Sequence, residues 1–256
     1  MVEYPIRFLD FEFQDPNLNL ALDEALFQLV GEGKSPETLR FWRNPPSVVL
    51  GANQTVTDEI NIPSCKQYKV EITRRFTGGG TVFHDLGNLN YSIVLKRENP
   101  LVSADILDFY RQISQGAIEG LRKLNVEIEF KPPNILQIHK LKIAGAAGRY
   151  GKKAVIFHQS ILVKSDLKTL KSVLKNKPRY LGKHRGVQSI RSEVANLSDF
   201  TKEKISLPQI KNLVMNGYVK SFHWILKPSA LTHEERDLAQ QLYRDKYSQE
   251  NWNYRL

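Results

Sequence analysis

The stretch RRFTGGGTVFHD, residues 74–85, places three consecutive glycines between two strand-like segments. Glycine loses more conformational freedom on folding than any other residue, so a triplet is unfavourable unless the backbone needs a positive φ or a close approach to another group. Successive backbone N–H groups in such a turn form a concave, partly positive surface that suits an anion. The loop is therefore a candidate anion site, with a glycine-rich hairpin kept only for its geometry as the alternative.

The residues around the glycines exclude two common phosphate-binding motifs. A P-loop requires Gly-Lys-Ser/Thr at the start of a helix, whereas Gly80 is followed by Thr-Val-Phe, which favours a strand. The dinucleotide-binding pattern G-x-G-x-x-G is absent as well. Arg74 and Arg75 precede the loop, and the planar fork of an arginine matches a phosphate or carboxylate with two hydrogen bonds. Adjacent side chains of a strand point to opposite faces, so we expect only one of the two arginines in the site.

Other candidate residues follow the loop or lie in apolar segments. His84 and Asp85 end the second strand, where they could form a base, a metal ligand or a capped turn, and the turn is the commonest of these. Lys142 lies in the segment KLKIAGAAG and could direct a point charge at a phosphoryl or carboxylate oxygen, although surface lysines on edge strands are commoner. His158 lies within an apolar strand-like run, where a structural histidine is commoner than a catalyst.

The composition is that of a globular protein with excess positive charge. The chain has 256 residues, 41% of them hydrophobic, and a formal net charge of +10, which favours anionic partners over a merely well-solvated surface. No apolar run approaches the roughly 18 residues that span a bilayer, and residues 1–13 lack the apolar core of an export signal. The single cysteine, Cys65, excludes a disulfide framework within the chain and favours a cytoplasmic location.

Hydrophobic periodicity predicts a mixture of helices and strands. Helices are expected at residues 17–33, 103–124 and 167–174, and through most of the chain after about residue 201. Strands are expected at residues 38–42, 47–51, 70–76, 81–85, 89–96, 126–130, 140–148 and 154–166. We expect an asparagine to cap the first helix, and Ile106 and Leu107 to lie on the inner face of the second. Strands that adjoin one another in sequence favour a mixed or antiparallel sheet.

Several stretches together resemble the lipoate–protein ligase family. RRFTGGGTVFHDLGNLNYS resembles the family signature RR-x-x-GGG-x-V-x-HD-x-GN, and KIAGAAG, FHQSILVKSDL and RGVQSIRSEVANL follow in the family's order. The opening segments NLNLALDEALF and LRFWRNPPSVVLGANQ are also similar to the family, so the likeness covers nearly the whole chain. It implies an α+β fold related to the biotin ligase catalytic domain, with a mixed, largely antiparallel sheet flanked by helices.

The resemblance also implies a two-step reaction. The lipoate carboxylate attacks the α-phosphorus of ATP, which Mg²⁺ accompanies, and gives lipoyl-AMP and pyrophosphate. A lysine amine then attacks the mixed anhydride, and the implied acceptors are the E2 lipoyl domain of 2-oxoacid dehydrogenases and the H protein of glycine cleavage. Such chemistry needs positioning and neutralisation of negative charge rather than a nucleophile on the enzyme.

Positions that match the family motifs give the candidate site residues. Lys142 matches the essential lysine that contacts the lipoyl carbonyl and the α-phosphate, and it is the candidate catalytic residue. Nucleotide binding is expected from Arg75, Gly80, Thr81, Val82, Phe83, Asn88 and Lys142. Substrate binding is expected from Arg75, Gly78, Gly79, His84, Asp85, Lys142 and His158. The resemblance matches no residue to a protein-bound metal.

The sequence leaves alternative functions open. Octanoyltransferases of the same superfamily form a thioester on a cysteine, but Cys65 lies in a polar stretch away from Lys142 and His158, and we interpret it as structural. A basic nucleic-acid-binding module is compatible with the charge, although no zinc-binding, helix-turn-helix or RNP pattern is present. A relative that has lost catalysis would be expected to lack the arginine, the lysine or the glycines.

One departure from the family concerns length. Many of these ligases carry a smaller C-terminal accessory domain, whereas residues 1–256 are expected to form one catalytic domain, with the accessory domain carried by a separate chain. The basic stretch at residues 175–191 is expected to close over the nucleotide or to meet an acceptor domain, with a solvated loop as the alternative.

Overall fold

Two β-sheets flanked by helices organise the chain. The computed structural model describes residues 3–175, 189 and 191–255. The strands are β1 (Tyr4–Asp10), β2 (Thr38–Trp42), β3 (Ser47–Leu50), β4 (Glu71–Arg74), β5 (Val82–His84), β6 (Asn88–Lys96), β7 (Glu129–Lys131), β8 (Ile135–Ile138), β9 (Leu141–Tyr150), β10 (Ala154–Leu162) and β11 (Trp224–Pro228). The helices are α1 (Pro16–Gly31), α2 (Val56–Glu59), α3 (Ile62–Gln67), α4 (Ile106–Leu121), α5 (Leu167–Val173), α6 (Leu207–Phe222), α7 (His233–Leu242) and α8 (Glu250–Asn253).

The larger sheet is mixed and largely antiparallel. Its eight strands lie in the order β11-β1-β2-β6-β10-β9-β8-β7. Strand β1 runs parallel to both of its neighbours, and the other pairs are antiparallel. This arrangement confirms the α+β fold class that the sequence predicts. It also makes β9, which carries Lys142, a direct neighbour of β10, which carries His158.

The smaller sheet shows that the hairpin alternative for the glycine triplet is wrong. Strands β4 and β5 each pair with β3, in parallel and antiparallel orientation respectively, and β3 lies between them. The glycines therefore connect the two outer strands of a three-stranded sheet and do not close a hairpin. The turn before β3 likewise separates β2 and β3 into different sheets.

Some element boundaries differ from the predictions for local physical reasons. The side chain of Asp15, not an asparagine, accepts the first free N–H groups of α1, and Pro16 occupies the first turn, where its missing N–H has no cost. Ile106 and Leu107 are exposed on the first turn of α4, and Phe109 is the first buried apolar residue of that helix. Strands β1, β8 and β11 were not predicted. Strands β1 and β11 are defined by pairing across the chain, with Tyr4 opposite Trp224, and β8 is a strand of only four residues.

Alternate residues of the central strands face two different helix layers. Phe157 of β10 belongs to the large core that also contains the apolar faces of α4 and α6. Ile156, one residue earlier, packs with Leu22 and Ala25 of α1 in a second core that includes α7. His158 lies on that same α1 side of the sheet, where it meets Asp23.

Glycines bring α4 and α6 into close contact. A Cβ atom at Gly217 of α6 would lie 2.0 Å from the carbonyl oxygen of Gly116 in α4, and one at Gly120 would lie 2.0 Å from the carbonyl oxygen of Leu213. Such distances are far inside van der Waals contact, and the nearby atoms belong to backbone that cannot rotate away. The two helices therefore approach each other over glycine, which the sequence pattern did not indicate.

We expect the substitution Gly217→Ala to lower the free energy of unfolding. Alanine favours a helix over glycine by about 1 kcal/mol, but forced overpacking typically destabilises by about 1–3 kcal/mol, and the backbone contact here places this site at the upper end. Urea unfolding followed by circular dichroism measures the change. Gln112→Ala on the exposed face of α4 is the control, and it should leave the midpoint nearly unchanged. An unchanged or higher midpoint for Gly217→Ala would contradict this account of the helix contact.

Candidate active site

The glycine loop, residues 77–81, packs backbone against backbone on the segment that follows β3. Gly79 has a φ of +90°, a conformation that strongly favours glycine. A Cβ atom at Gly51, just after β3, would lie 2.1 Å from the Gly79 carbonyl oxygen. The residues on both sides of this contact must therefore be glycine, which accounts for part of the triplet.

The guanidinium of Arg75 is buried and bound to the loop that follows it. Its Nη2 donates to the carbonyl oxygens of Gly78 at 2.6 Å and Gly80 at 2.8 Å. Its Nη1 donates to the carbonyl oxygen of Val49 at 3.1 Å, and its Nε to the hydroxyl of Thr77 at 3.1 Å. Burial lowers the pKa of Arg75 to about 10, so the group stays charged at neutral pH. No described carboxylate pairs with it.

Arg74 points the other way, as expected for its neighbour on a strand. Its guanidinium donates to the carbonyl oxygens of Gly51 and Gln54 at 2.9 and 2.6 Å. It also donates to the carbonyl oxygens of Trp252 and Arg255 at 3.0 and 2.8 Å. Arg74 therefore ties the segment after β3 to the C-terminal part of the described chain and has no direct place beside the glycines.

Lys142 is the second residue of β9, and it is partly exposed. Its side chain runs over Gly145, where a Cβ atom would lie 2.8 Å from both Cε and Nζ. Burial, followed by the positive charges of Arg191 and Arg75, lowers the pKa of Lys142 to about 8. Within the described part of the chain, its Nζ has no hydrogen-bond or ion-pair partner. The lysine and Arg75 therefore form an uncompensated pair of positive charges.

Residues that the sequence did not single out hold Thr81, the end of the loop. Its N–H donates to the hydroxyl of Ser189 at 2.8 Å, its hydroxyl donates to Oε1 of Gln54 at 2.7 Å, and its carbonyl oxygen accepts from Arg191 at 3.2 Å. Arg191 in turn pairs with the buried carboxylate of Glu59 at 2.8 Å. Arg191 and Ser189 end the basic stretch noted in the sequence, and the remainder of that stretch, residues 176–188 and 190, lies outside the described residues. Nothing in the local sequence marks Gln54 or Glu59.

The two candidate histidines are buried and neutral at neutral pH. Nε2 of His158 lies 2.8 Å from the hydroxyl of Thr77, and its Nδ1 lies 3.3 Å from a carboxylate oxygen of Asp23. Burial is the largest cause of its lowered pKa. Burial, then the charges of Arg75 and His158, lowers the pKa of His84 to about 3, and the Nδ1 of His84 faces the amide of Asn44 at 3.3 Å. Only His158 is directly connected to the glycine loop.

Other predicted residues support the turn after β5. Asp85 accepts from the N–H groups of Gly87 at 2.8 Å and Asp166 at 2.7 Å, which matches the capped-turn interpretation. The amide of Asn88 donates to the carbonyl oxygen of Phe83 at 3.3 Å. The Phe83 side chain is buried in the core of the smaller sheet, which leaves only its backbone for a ligand. A direct ligand contact of Asp85 or Asn88 remains a prediction.

Cys65 is part of a hydrophobic core. It lies on α3 and packs in the cluster that contains Val48 and Ile72 of the smaller sheet. Burial raises the pKa of its thiol to about 11, so the thiolate is scarce at neutral pH. This agrees with the structural role expected for the chain's one cysteine.

The described residues contain no cluster of three or more His, Cys, Asp or Glu side chains arranged to hold a metal ion. Nor does any described helix combine the length and apolar character needed to cross a bilayer. Arg75, Lys142 and the glycine loop instead have the chemistry of an anion site, with two positive charges beside exposed glycine backbone. Such a site can bind a phosphate or a carboxylate and can stabilise negative charge that develops on either.

Comparison with known proteins places this arrangement in one family. The family model "Lipoyl protein ligase A/B catalytic domain" matches residues 15–219. Lipoate-protein ligase A subunit 1 of Thermoplasma acidophilum is 32% identical, with 93% of this chain and 92% of that protein covered. Octanoyltransferase LipM of Geobacillus kaustophilus is also 32% identical, with 97% of this chain and 98% of that protein covered.

A solved structure gives the same result in three dimensions. The structure described as a bi-partite lipoate protein ligase and its E2 lipoyl domain, from Thermoplasma acidophilum, matches with a TM-score of 0.84 and 30% identity, covering 99% of this chain and 97% of that one. The fold and family implied by the glycine block are thereby confirmed. The chain belongs to the lipoyl protein ligase A/B catalytic-domain family, whose members are ligases and acyltransferases.

Proposed function

We propose that this chain is a cytoplasmic, ATP-dependent lipoate–protein ligase. It activates lipoate to lipoyl-AMP and transfers the lipoyl group to a lysine of an acceptor domain. The observation that carries the proposal is the pair Arg75 and Lys142, two cations whose charges act on each other and that have no described carboxylate partner. Uncompensated positive charge in a partly desolvated site favours a polyanion, and the adenylation step concentrates negative charge at the α-phosphate.

Lys142 is the proposed catalytic residue. Its Nζ is unpaired among the described residues and lies over Gly145, where no side chain blocks the approach of a ligand. In the first step it stabilises charge on the α-phosphate while the lipoate carboxylate attacks. In the second step it stabilises the oxyanion that forms when the acceptor amine adds to the lipoyl carbonyl. AMP then leaves with the electron pair of the broken C–O bond, and the amine nitrogen gives up one proton to solvent.

The glycine loop is the proposed phosphate cradle. Gly78, Gly79 and Gly80 allow the nucleotide to lie against bare backbone, and Thr81, Val82, Phe83 and Asn88 continue the binding surface by the family match. Arg75 contributes its charge from beneath the loop, because its N–H groups are bonded to loop carbonyl oxygens. His84, Asp85 and His158 are proposed to shape the lipoyl side of the site.

Magnesium is proposed to enter with ATP. Mg²⁺ is commonly held by substrate phosphates and water, with one or two carboxylates at most, so a site of this kind needs no protein cage. The described residues fit that mode, since they offer no cluster of acidic side chains. The ion would supply charge neutralisation at the phosphates.

The octanoyltransferase alternative has equal support from sequence identity but less from the site. A thioester route requires a reactive thiolate close to Lys142. The single cysteine, Cys65, is buried in the core of the smaller sheet, and burial raises the pKa of its thiol to about 11. The ligase route, which needs no enzyme nucleophile, is therefore favoured.

The proposed partners are lipoyl-acceptor proteins and an accessory subunit. A relative is named as subunit 1, and a solved relative is described as bi-partite and studied with an E2 lipoyl domain. We propose the E2 lipoyl domain and the H protein as acceptors, and a second chain that assists the activation of lipoate. The present chain would then act as the catalytic domain.

Mass spectrometry of an acceptor domain tests the proposal. The purified chain is mixed with an E2 lipoyl domain and given lipoyl-AMP, lipoate with Mg-ATP, or an octanoyl thioester without ATP. We expect the lipoyl mass shift with lipoyl-AMP, and a slow one with lipoate and Mg-ATP in the absence of an accessory chain. A shift from the octanoyl thioester alone would identify an octanoyltransferase, and no shift in any tube would reject both activities.

The substitution Lys142→Ala should lower the rate of transfer from lipoyl-AMP by roughly 10²-fold or more, the range seen when a group that stabilises transition-state charge is removed. Lys140→Ala is the matched control, because Lys140 is an exposed lysine two residues away. It should retain a normal rate. A near-normal rate for Lys142→Ala, with normal folding, would remove this lysine from the mechanism.

Binding of AMP should weaken as the pH rises through about 8, because Lys142 has a pKa of about 8 and loses its positive charge above it. Below that pH the lysine is charged and binding is constant. Above it, the dissociation constant should increase by up to about tenfold per pH unit. Isothermal titration calorimetry between about pH 7 and 9.5 measures this dependence. In the Lys142→Arg variant the curve should be flat, and an equal dependence in both proteins would assign the titration to another group.

A further inference from the structure

A row of polar residues crosses the larger sheet beneath α1. Arg40 of β2 lies directly opposite Ser92 of β6, and Ser92 lies opposite His158 of β10. The three side chains are buried on the side of the sheet that faces α1. Buried side chains at such positions are normally apolar. Polar side chains in register on three adjacent strands therefore indicate a hydrogen-bond network.

Asp23 of α1 connects the members of this row. One carboxylate oxygen accepts from Arg40 at 2.6 Å, and the other accepts from Ser92 at 2.6 Å and lies 3.3 Å from Nδ1 of His158. Burial would raise the pKa of Asp23, but Arg40 and His158 together hold it below its usual value. Asp23 is therefore an ionised group that only accepts hydrogen bonds.

The charge on Asp23 fixes the direction of the hydrogen bonds beyond it. Because the carboxylate only accepts, the proton of neutral His158 resides on Nδ1, and Nε2 is left as an acceptor. The hydroxyl of Thr77, 2.8 Å away, must then donate to Nε2. Its lone pairs are free to accept from Nε of Arg75, which lies 3.1 Å away.

Arg75 connects these hydrogen bonds to the glycine loop. Its Nη2 group donates to the carbonyl oxygens of Gly78 and Gly80, which lie on both sides of Gly79. The orientation of these carbonyl groups sets the orientation of the N–H groups in the same peptide units. A rotation of the Arg75 guanidinium would therefore change the shape of the loop.

We infer that Asp23, His158 and Thr77 are positioning residues that fix Arg75 and, through it, the phosphate-binding shape of the glycine loop. His158 acts through this chain and does not remove a proton from the acceptor lysine, because both of its ring nitrogens are already engaged. The inference rests on the proposed function only in that the bound phosphate is taken to belong to an adenylate.

The pair Thr77→Val and Thr77→Ser tests the inference. Valine keeps the shape of threonine but leaves Nε2 of His158 without a donor and removes one acceptor of Arg75. We expect AMP binding to Thr77→Val to be weaker by about tenfold or more, as for other buried polar groups left unpaired. Thr77→Ser keeps the hydroxyl and should bind AMP nearly as the natural chain does. If Thr77→Val does not fold, Thr77→Ala removes the same hydroxyl with a smaller side chain.

Thr38→Val provides a closely matched control. The hydroxyl of Thr38 is also buried and also accepts from an arginine Nε, that of Arg7, at 3.0 Å, but it belongs to a buried ion-pair network with Glu235. This variant should lose stability in thermal unfolding without losing AMP affinity.

The outcomes separate the inference from the proposed function. If the natural chain binds neither AMP nor lipoyl-AMP, the proposed function fails. If the natural chain binds AMP and Thr77→Val binds it equally well, the inference fails while the function stands. Equal weakening by Thr38→Val and Thr77→Val would also overturn the inference, since a general loss of stability would then explain both.

Discussion

The candidate site depends on how the buried guanidinium of Arg75 is hydrogen-bonded. Arg75 is almost completely buried, and its hydrogen-bond partners are carbonyl oxygens and a hydroxyl, with no described carboxylate among them. Carbonyl oxygens satisfy the N–H groups of a guanidinium but do not cancel its charge. The Arg75 side chain therefore both holds the conformation of the loop and gives the loop a positive electrostatic potential. Lys142 adds a second positive charge, and burial, then the charges of Arg191 and Arg75, lower its pKa to about 8.

Proteins named as ligases and proteins named as octanoyltransferases are both relatives of this chain. A ligase must hold an adenylate, and an acyltransferase that forms a thioester must present a thiolate, yet relatives of both kinds are equally similar to this chain. Overall sequence identity therefore does not distinguish the two chemistries. The discrimination depends on the location of a single reactive group. Here the thiol belongs to the core of the smaller sheet, and the charged groups bound to the glycine loop are the cations Arg75 and Arg191.

The sequence predicted those features that depend on local chemistry. The glycine block, the isolated lysine and the α+β class were all visible in short stretches, and opposite faces of a strand explained why only Arg75 serves the loop. The hairpin alternative was wrong because β3, from an earlier part of the chain, lies between the flanking strands. The roles of Glu59 and Gln54 could not be predicted, since Glu59 pairs with Arg191 and Gln54 donates to Ser189, each more than a hundred residues further along the chain. The row of Arg40, Ser92 and His158 likewise becomes visible only when the strand order is known.

The contacts of Arg74 have a consequence for protein synthesis. Its guanidinium and backbone are bound by Trp252, Asn253 and Arg255, which follow it by 178 to 181 residues. During translation, the strand that leads into the glycine loop emerges from the ribosome long before these partners do. Domains generally acquire their structure from the N-terminus onward as the chain emerges. A nascent chain can thus form most of both sheets. The strand before the loop gains its last hydrogen-bond partners only when residues 252–255 have left the exit tunnel.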